Sequence, residues 1–385
     1  MKKLLAYVIG GIFLLGICMT FAPGLCSAQV AKERGKINFV YLGPMSGSAA
    51  AYGEEQFAGI QLAAKDINAA GGIKVGDKAY DLQAYALDVE ESPEKSVTKM
   101  NEAISLHRPL AFHVGHSMAA MPLKQFAKEK GFILLAVSEV PAFTEPRNPL
   151  CVRAWVKVAD QGPMLDHLRR LGVNKIGILA HSGEVSVKWA QVCKDMWGKR
   201  GGTVVGEVTY PVESTDFTSP VTKLLSSNPE AIAAGGHPDV RAANILKNIR
   251  ELGFKGKVFF GGACRGPRMI NLIGKELAEG TILVGTAFEK GGPKIDAFKK
   301  RIAGLYPGKP YSLIYAVAYE APYLIKAGVE QAQTVTDLNK ITEAMEKAVG
   351  PNTSPTGLFS KMVNGEVEFN LYPVEIRNGQ VVPVQ

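Results

Sequence analysis

A chain of 385 residues with 46% apolar and 21% charged residues is neither disordered nor fibrous, and it is long for a single hydrophobic core. Two lobes are expected. The formal charge of +8 is spread through mixed-sign clusters such as "KQFAKEK", with no basic run and no basic–aromatic interleaving, so no nucleic-acid footprint is expected.

Along the chain, Lys2 and Lys3 precede an apolar stretch from Leu4 to about Ala22, and "CSA" puts Cys26 and Ala28 at small-residue positions suited to signal peptidase. Residues 1–28 read as a secretory signal cleaved after Ala28, with a retained membrane anchor as the alternative. Cleavage removes two lysines and takes the charge from +8 to +6. Neither Cys18 nor Cys26 follows a small residue, which argues against lipid attachment. No later segment offers 18 continuous apolar residues, so the mature chain is expected to be soluble and periplasmic. It keeps Cys151, Cys193 and Cys264, an odd number that leaves at least one thiol free or paired between chains. Cys193 shares a helical face with Trp189 and Trp197 and reads as a core residue; a Cys151–Cys264 bridge stays open.

The first strand, "KINFVYLG", runs into "GPMSGSAAAYG" and then a helix whose face carries Phe57, Ile60, Ala64 and Ile67 and which stops at Gly71-Gly72. "YDLQAYALD", "LAFHVG" and "GFILLAVS" are further strands, and Ser92-Pro93 opens a helix carrying Val97, Met100 and Ile104. A second series follows: strands "KIGILA", "TVVGEVTY", "AIAAGG" and "VFFGG", with helices near 160–171, 184–200, 216–227, 238–252 and 267–278. "TILVGTAF" adds a strand, and helices near 294–305, 312–330 and 334–349 come next. The tail "EVEFNLYPVEIRNGQVVPV" alternates around an Asn-Gly turn, as a hairpin does. Alternating strands and helices predict an α/β fold of two doubly wound parallel-sheet lobes, with the chain crossing between them more than once.

Motifs for chemistry are sparse. The loop Gly43–Gly53 lacks Lys and Arg and does not match G-x-x-x-x-G-K-[ST], so it does not read as a phosphate loop. It offers Ser46, backbone N–H groups and Tyr52 at a helix start, at the carboxyl end of a sheet where open α/β folds bind ligands. "SPEK" matches S-x-x-K but lacks companion motifs; G-x-S-x-G and H-E-x-x-H are absent. His116, His181 and His237 each follow a predicted strand, and polar lining of a cleft is preferred over a metal site because no acid or thiolate falls at ligand spacing. No cofactor is expected.

"KINFVYLGPMSGSAAAYGEEQFAGIQLAAKDINAAGGI", followed by "VGHSM", "ADQGP" and "AAGGHPD", resembles the branched-chain amino-acid-binding (leucine/isoleucine/valine-type) periplasmic receptors of ABC transporters. The resemblance covers essentially the whole mature chain and implies a type I periplasmic binding protein: two lobes, a three-crossing hinge and a ligand held between the lobes. It places lobe one at 36–156 and 286–358, and lobe two at 157–285 and 359–385. It implies ligand contacts from Tyr52, from Ser117 or the N–H groups near Ala119, from Ser138 and Glu139, and from His237. The glutamate that holds the ligand ammonium in that family falls within "GGACRG", where Ala263, Cys264 and Arg265 stand. Either Glu139 balances an ammonium, or the ligand has none and Arg265 binds a polar group. Trp155 adds an aromatic wall or packs the hinge.

The expectation is a non-enzymatic monomer that captures a small carboxylate-bearing ligand, a branched-chain amino acid or a related aliphatic or aromatic acid. It delivers that ligand to the permease and ATPase subunits of an ABC importer. A sensor of the same fold feeding a signalling partner is the alternative; an exported α/β enzyme is disfavoured by the missing catalytic constellation.

Overall fold

A computed structural model describes residues 34–384, apart from residues 91, 238, 263 and 308–311 and the side chains at 48 and 141. The expected signal segment lies outside the described residues. The strands are, in order, β1 (Gly35–Gly43), β2 (Ile73–Val75), β3 (Lys78–Asp88), β4 (Ala111–Val114), β5 (Ile133–Ala136), β6 (Cys151–Arg153), β7 (Lys175–His181), β8 (Thr203–Tyr210), β9 (Ala231–Gly235), β10 (Lys257–Gly261) and β11 (Thr281–Gly285). Four more close the chain: β12 (Phe359–Val363), β13 (Glu366–Phe369), β14 (Tyr372–Arg377) and β15 (Gln380–Pro383).

They form two sheets, in the orders β12-β13-β6-β5-β4-β1-β3-β2 and β15-β14-β11-β10-β9-β7-β8. The central pairings of both are parallel, with antiparallel partners at the margins. The chain passes between the sheets three times: after β6, after β11, and between β13 and β14. This is the doubly wound, three-crossing arrangement expected from the sequence.

Parallel strands flanked by helices are buried on both faces, and the sequence shows why these runs take that place. In β1, Ile37, Phe39 and Tyr41 enter one core, while Val40 and Leu42 enter the core on the opposite face. In β10, Val258 and Phe260 lie on one side and Phe259 on the other. The helix Ala50–Ala69 buries Ile60, Ala64 and Ile67 against the first sheet and against the helix Leu313–Ala332. The two helices approach closely at Gly59, where a methyl group would lie 2.6 Å from the carbonyl oxygen of Tyr315. Asp66 ties this layer together, accepting from both Arg301 terminal nitrogens at 2.6 Å and from the Tyr319 hydroxyl at 2.7 Å.

One boundary differs from expectation. Residues 359–369, assigned from the sequence to the second lobe, belong to the first sheet. The reason is electrostatic. Glu366 pairs beside Arg153 in β6, lies 3.4 Å from its guanidinium and 3.2 Å from Lys157 Nζ, and accepts from the Thr144 hydroxyl at 2.6 Å. The tail holds two Asn-Gly turns, and Asn364-Gly365 and Asn378-Gly379 all have positive φ, as two-residue hairpins favour. Each sheet therefore receives one of the two tail hairpins.

Cys151, Cys193 and Cys264 are all buried and unpaired. The open question of a Cys151–Cys264 bridge is thus answered, and Cys193 packs with Trp189 and Trp197 as its helical spacing predicts. No helix among the described residues is long and apolar enough to cross a membrane.

Candidate functional site

A cavity of about 510 Å³ lies where the two sheets face each other. Every segment that lines it follows the carboxyl end of a parallel strand. From the first sheet come Tyr52, the turn His116–Met118 with Met121, then Val137, Glu139 and Val140, and finally Trp155. The second contributes His181, Gly183–Val185, Gly236, His237 and Arg241. The opening loop brings Tyr52 to the cavity through a tight turn: a methyl group on Gly53 would overlap the carbonyl oxygen of Pro44, at 1.6 Å.

Glu139 is the buried acid of the lining. Its Oε1 accepts the indole N–H of Trp155 at 3.3 Å, and its backbone N–H donates to Ser117 Oγ at 3.3 Å. Burial pushes its carboxyl up to about 7, against the pull of the Trp155 bond and the Arg153 charge. Gly262, just past the second sheet's β10, presses on it: its φ is +82°, and a methyl group there would lie 2.9 Å from Glu139 Oε2.

Three imidazoles line the cavity. His181 is fully engaged: Nδ1 accepts from the Gly183 N–H and Nε2 faces the Gly236 carbonyl, each at 3.0 Å. His237 Nδ1 lies 3.3 Å from the Tyr210 hydroxyl, and its ring sits 5.3 Å from that of His181. Burial holds His237 down to about 3 and His116 down to about 4, so both rings are neutral at ordinary pH. No group of three or more His, Cys, Asp or Glu among the described residues is placed to hold a metal. The positive charge of the lining is Arg241, which donates to the Val212 carbonyl at 2.6 Å and pairs with no carboxylate among the described residues. Together these groups suit a small ligand with an anionic head and an apolar or aromatic body.

A family model described as "Periplasmic binding protein" matches residues 36–380. The chain belongs to the periplasmic binding protein family. Among curated relatives, it is 25% identical over 327 residues to the Leu/Ile/Val-binding protein of Escherichia coli K12, covering 82% of this chain and 86% of the relative. It is 26% identical over 346 residues to a leucine-, isoleucine-, valine-, threonine- and alanine-binding protein of Pseudomonas aeruginosa, covering 87% of each. Among solved structures, a leucine-binding protein from Thermotoga maritima superposes with a TM-score of 0.77 at 22% identity, covering 91% of this chain and 98% of that one. A solute-binding protein from Rhodopseudomonas palustris, solved with benzoate, gives a TM-score of 0.74 at 20% identity, with coverage of 91% and 96%. These likenesses bear out the type I periplasmic binding fold expected from the sequence.

Within this binding protein, seven of the residues singled out from the sequence come together at the cavity: Tyr52, His116, Ser117, Glu139, Trp155, His181 and His237. Four do not line it. Ser46 is exposed and bonded to Asp88 beside β1. Ala119 is buried, and its N–H is taken by His116 Nδ1 at 3.4 Å. Ser138 is buried, with Oγ accepting from the Val140 N–H. Arg265 is drawn away by Asp239, whose Oδ2 lies 2.8 Å from its Nε. Arg241 escaped notice because a lone Arg in the first turn of a helix, Asp239–Glu251, carries no local pattern.

Proposed function

We propose that this periplasmic binding protein is the extracytoplasmic receptor of an ABC importer and captures a small carboxylate-bearing ligand between its two lobes. The observation that carries the reading is the cavity of about 510 Å³ lined from both sheets by strand-end loops. In this reading residues 1–28 direct export and are removed, and Tyr52, Ser117, Glu139, Trp155 and His237 contact the ligand. The names of the curated relatives support an amino acid or a close analogue.

The chemistry of the lining favours an acid without an ammonium group. A buried ammonium needs an ionised partner. The buried carboxyl available, Glu139, titrates near 7 and already accepts from Trp155. Arg241 and the Ser117 hydroxyl suit a carboxylate, while Trp155, Tyr52 and Met121 suit a flat or branched apolar body. Calorimetric titration with leucine, isoleucine, valine, their deaminated 2-oxo acids and benzoate tests this. Binding of the acids in preference to the amino acids is expected. Tight leucine binding with no acid bound would overturn the preference, and no binding by any of them would count against the carboxylate reading itself.

A further inference from the structure

Arg265 stands on the second-sheet side of the cleft, at the start of the helix Gly266–Ile273. Its backbone N–H and its Nε each reach Asp239 at 2.8 Å, to Oδ1 and Oδ2. These bonds fix the side chain against its own lobe. The remaining arm, Nη1, extends to the other lobe and lies 3.7 Å from Oε2 of Glu55, on the helix Ala50–Ala69. Glu55 is fixed in turn, since its Oε1 accepts the backbone N–H of Ser312 at 2.6 Å, at the start of the helix Leu313–Ala332. Both ends of the contact are therefore preorganised, and neither side chain loses much freedom when the lobes meet. The pair is sheltered, with side-chain exposures of 30% and 14%. Three residues earlier in sequence, Gly262 lies against Glu139 of the first lobe.

We infer that Arg265 and Glu55 form an interlobe latch: a charge contact within the chain itself that favours the closed cleft before any ligand enters. Arg265 acts here as a positioning residue and touches no ligand. A latch of this kind shifts the balance between open and closed forms by the difference in its energy between the two, whatever the ligand. It lowers the contribution the ligand must make to closure, and it weakens with salt because the pair is not fully buried.

The inference concerns the empty protein, so its test stands apart from the identity of the ligand. Spin labels at Lys128→Cys in the first lobe and Lys223→Cys in the second report the interlobe distance by double electron–electron resonance; the three native thiols among the described residues are buried. In ligand-free protein, Glu55→Gln is expected to raise the open-to-closed ratio by about two- to fivefold, the range for a partly exposed ion pair. The glutamine carbonyl keeps the acceptor for Ser312. Arg265→Gln should give a similar shift, the double variant no larger one, and 1 M salt should reproduce it in the parent. Distance distributions unchanged by Glu55→Gln, or additive shifts in the double variant, would overturn the latch. So would Ser312→Ala reproducing the shift, because the effect would then belong to the helix start and not to the charge pair.

Discussion

The indole N–H of Trp155 donates to Oε1 of Glu139 across 3.3 Å, and the two residues follow neighbouring strands of one sheet. This bond puts a buried carboxyl and an aromatic wall on the same side of the cleft. The carboxyl's ionisation then sets what the cleft tolerates.

The first consequence is a pH dependence with a definite sign. Glu139 titrates near 7, while His237 and His116, held near 3 and 4, stay neutral above pH 6. Glu139 is thus mostly neutral at pH 6 and mostly ionised at pH 8. An anionic ligand such as benzoate should bind more tightly at pH 6, by about three- to tenfold, and Glu139→Gln should remove the dependence. Calorimetry at the two pH values checks it. An amino acid relying on Glu139 would show the opposite slope, with affinity rising as the carboxyl ionises.

Ser117 is placed to donate. Its Oγ accepts from the Glu139 N–H, which leaves its own hydrogen free for the cleft. A hydrogen bond to a charged group contributes about 1.5–3 kcal/mol, so Ser117→Ala should weaken binding of the tightest acid about ten- to a hundredfold. Unchanged affinity with an unchanged melting temperature would remove Ser117 from the site.

Gly262 should be intolerant of a side chain. Its φ of +82° and the 2.9 Å approach to Glu139 both oppose Gly262→Ala. The left-handed conformation alone costs about 1–2 kcal/mol for alanine. The variant should close less completely, with a larger radius of gyration by small-angle scattering at saturating ligand. A radius equal to that of the parent would show that the loop yields.

Glu320 predicts a stability slope. It is buried on the helix Leu313–Ala332, and its Oε1 accepts from the Thr356 N–H at 2.9 Å and from the hydroxyls of Ser354 and Thr356. Burial raises its folded value to about 7 from 4.5, so the folded chain holds the proton more tightly than the unfolded one. The stabilisation is complete below pH 4.5 and is lost as pH rises through 7, a change on the order of 3 kcal/mol. Because all three bonds fall on one oxygen, Glu320→Gln can keep them. Its melting temperature should fall less between pH 5 and pH 8 than that of the parent. Equal slopes in the two proteins would refute the assignment.

Much of the fold was legible because its signals are local. Phe57, Ile60, Ala64 and Ile67 mark one helical face, the Ser92 hydroxyl accepts from the Lys95 N–H as an N-cap should, and Asn378-Gly379 makes the turn its sequence favours. The placement of 359–369 was not local: Glu366 finds Arg153 more than two hundred residues away, and Glu320 ties down the stretch just before β12. The same division holds for the cleft. Position in the strand-end loops pointed to Tyr52 and the histidines, whereas Ser117 and Glu139 came from the family resemblance, and all of them line the cavity with Trp155. Side-chain direction within those loops was not legible. Ser138 turns inward while its neighbour Glu139 faces the cavity, and Arg265 yields to Asp239, 26 residues earlier.

The three sealed thiols bear on how the protein behaves when it is made and when it is heated. Cys151 and Cys193 are pushed towards the inert thiol form by burial, Cys151 up to about 12, and none of the three has a partner to oxidise with. Among the described residues the native fold therefore holds no disulfide, and a reducing environment should leave it intact. The unfolded chain has no such protection. Each molecule that opens in an oxidising medium exposes these buried thiols, which can then cross-link it to its neighbours. Recovery after a thermal scan should then depend on added reductant, even though the starting structure does not.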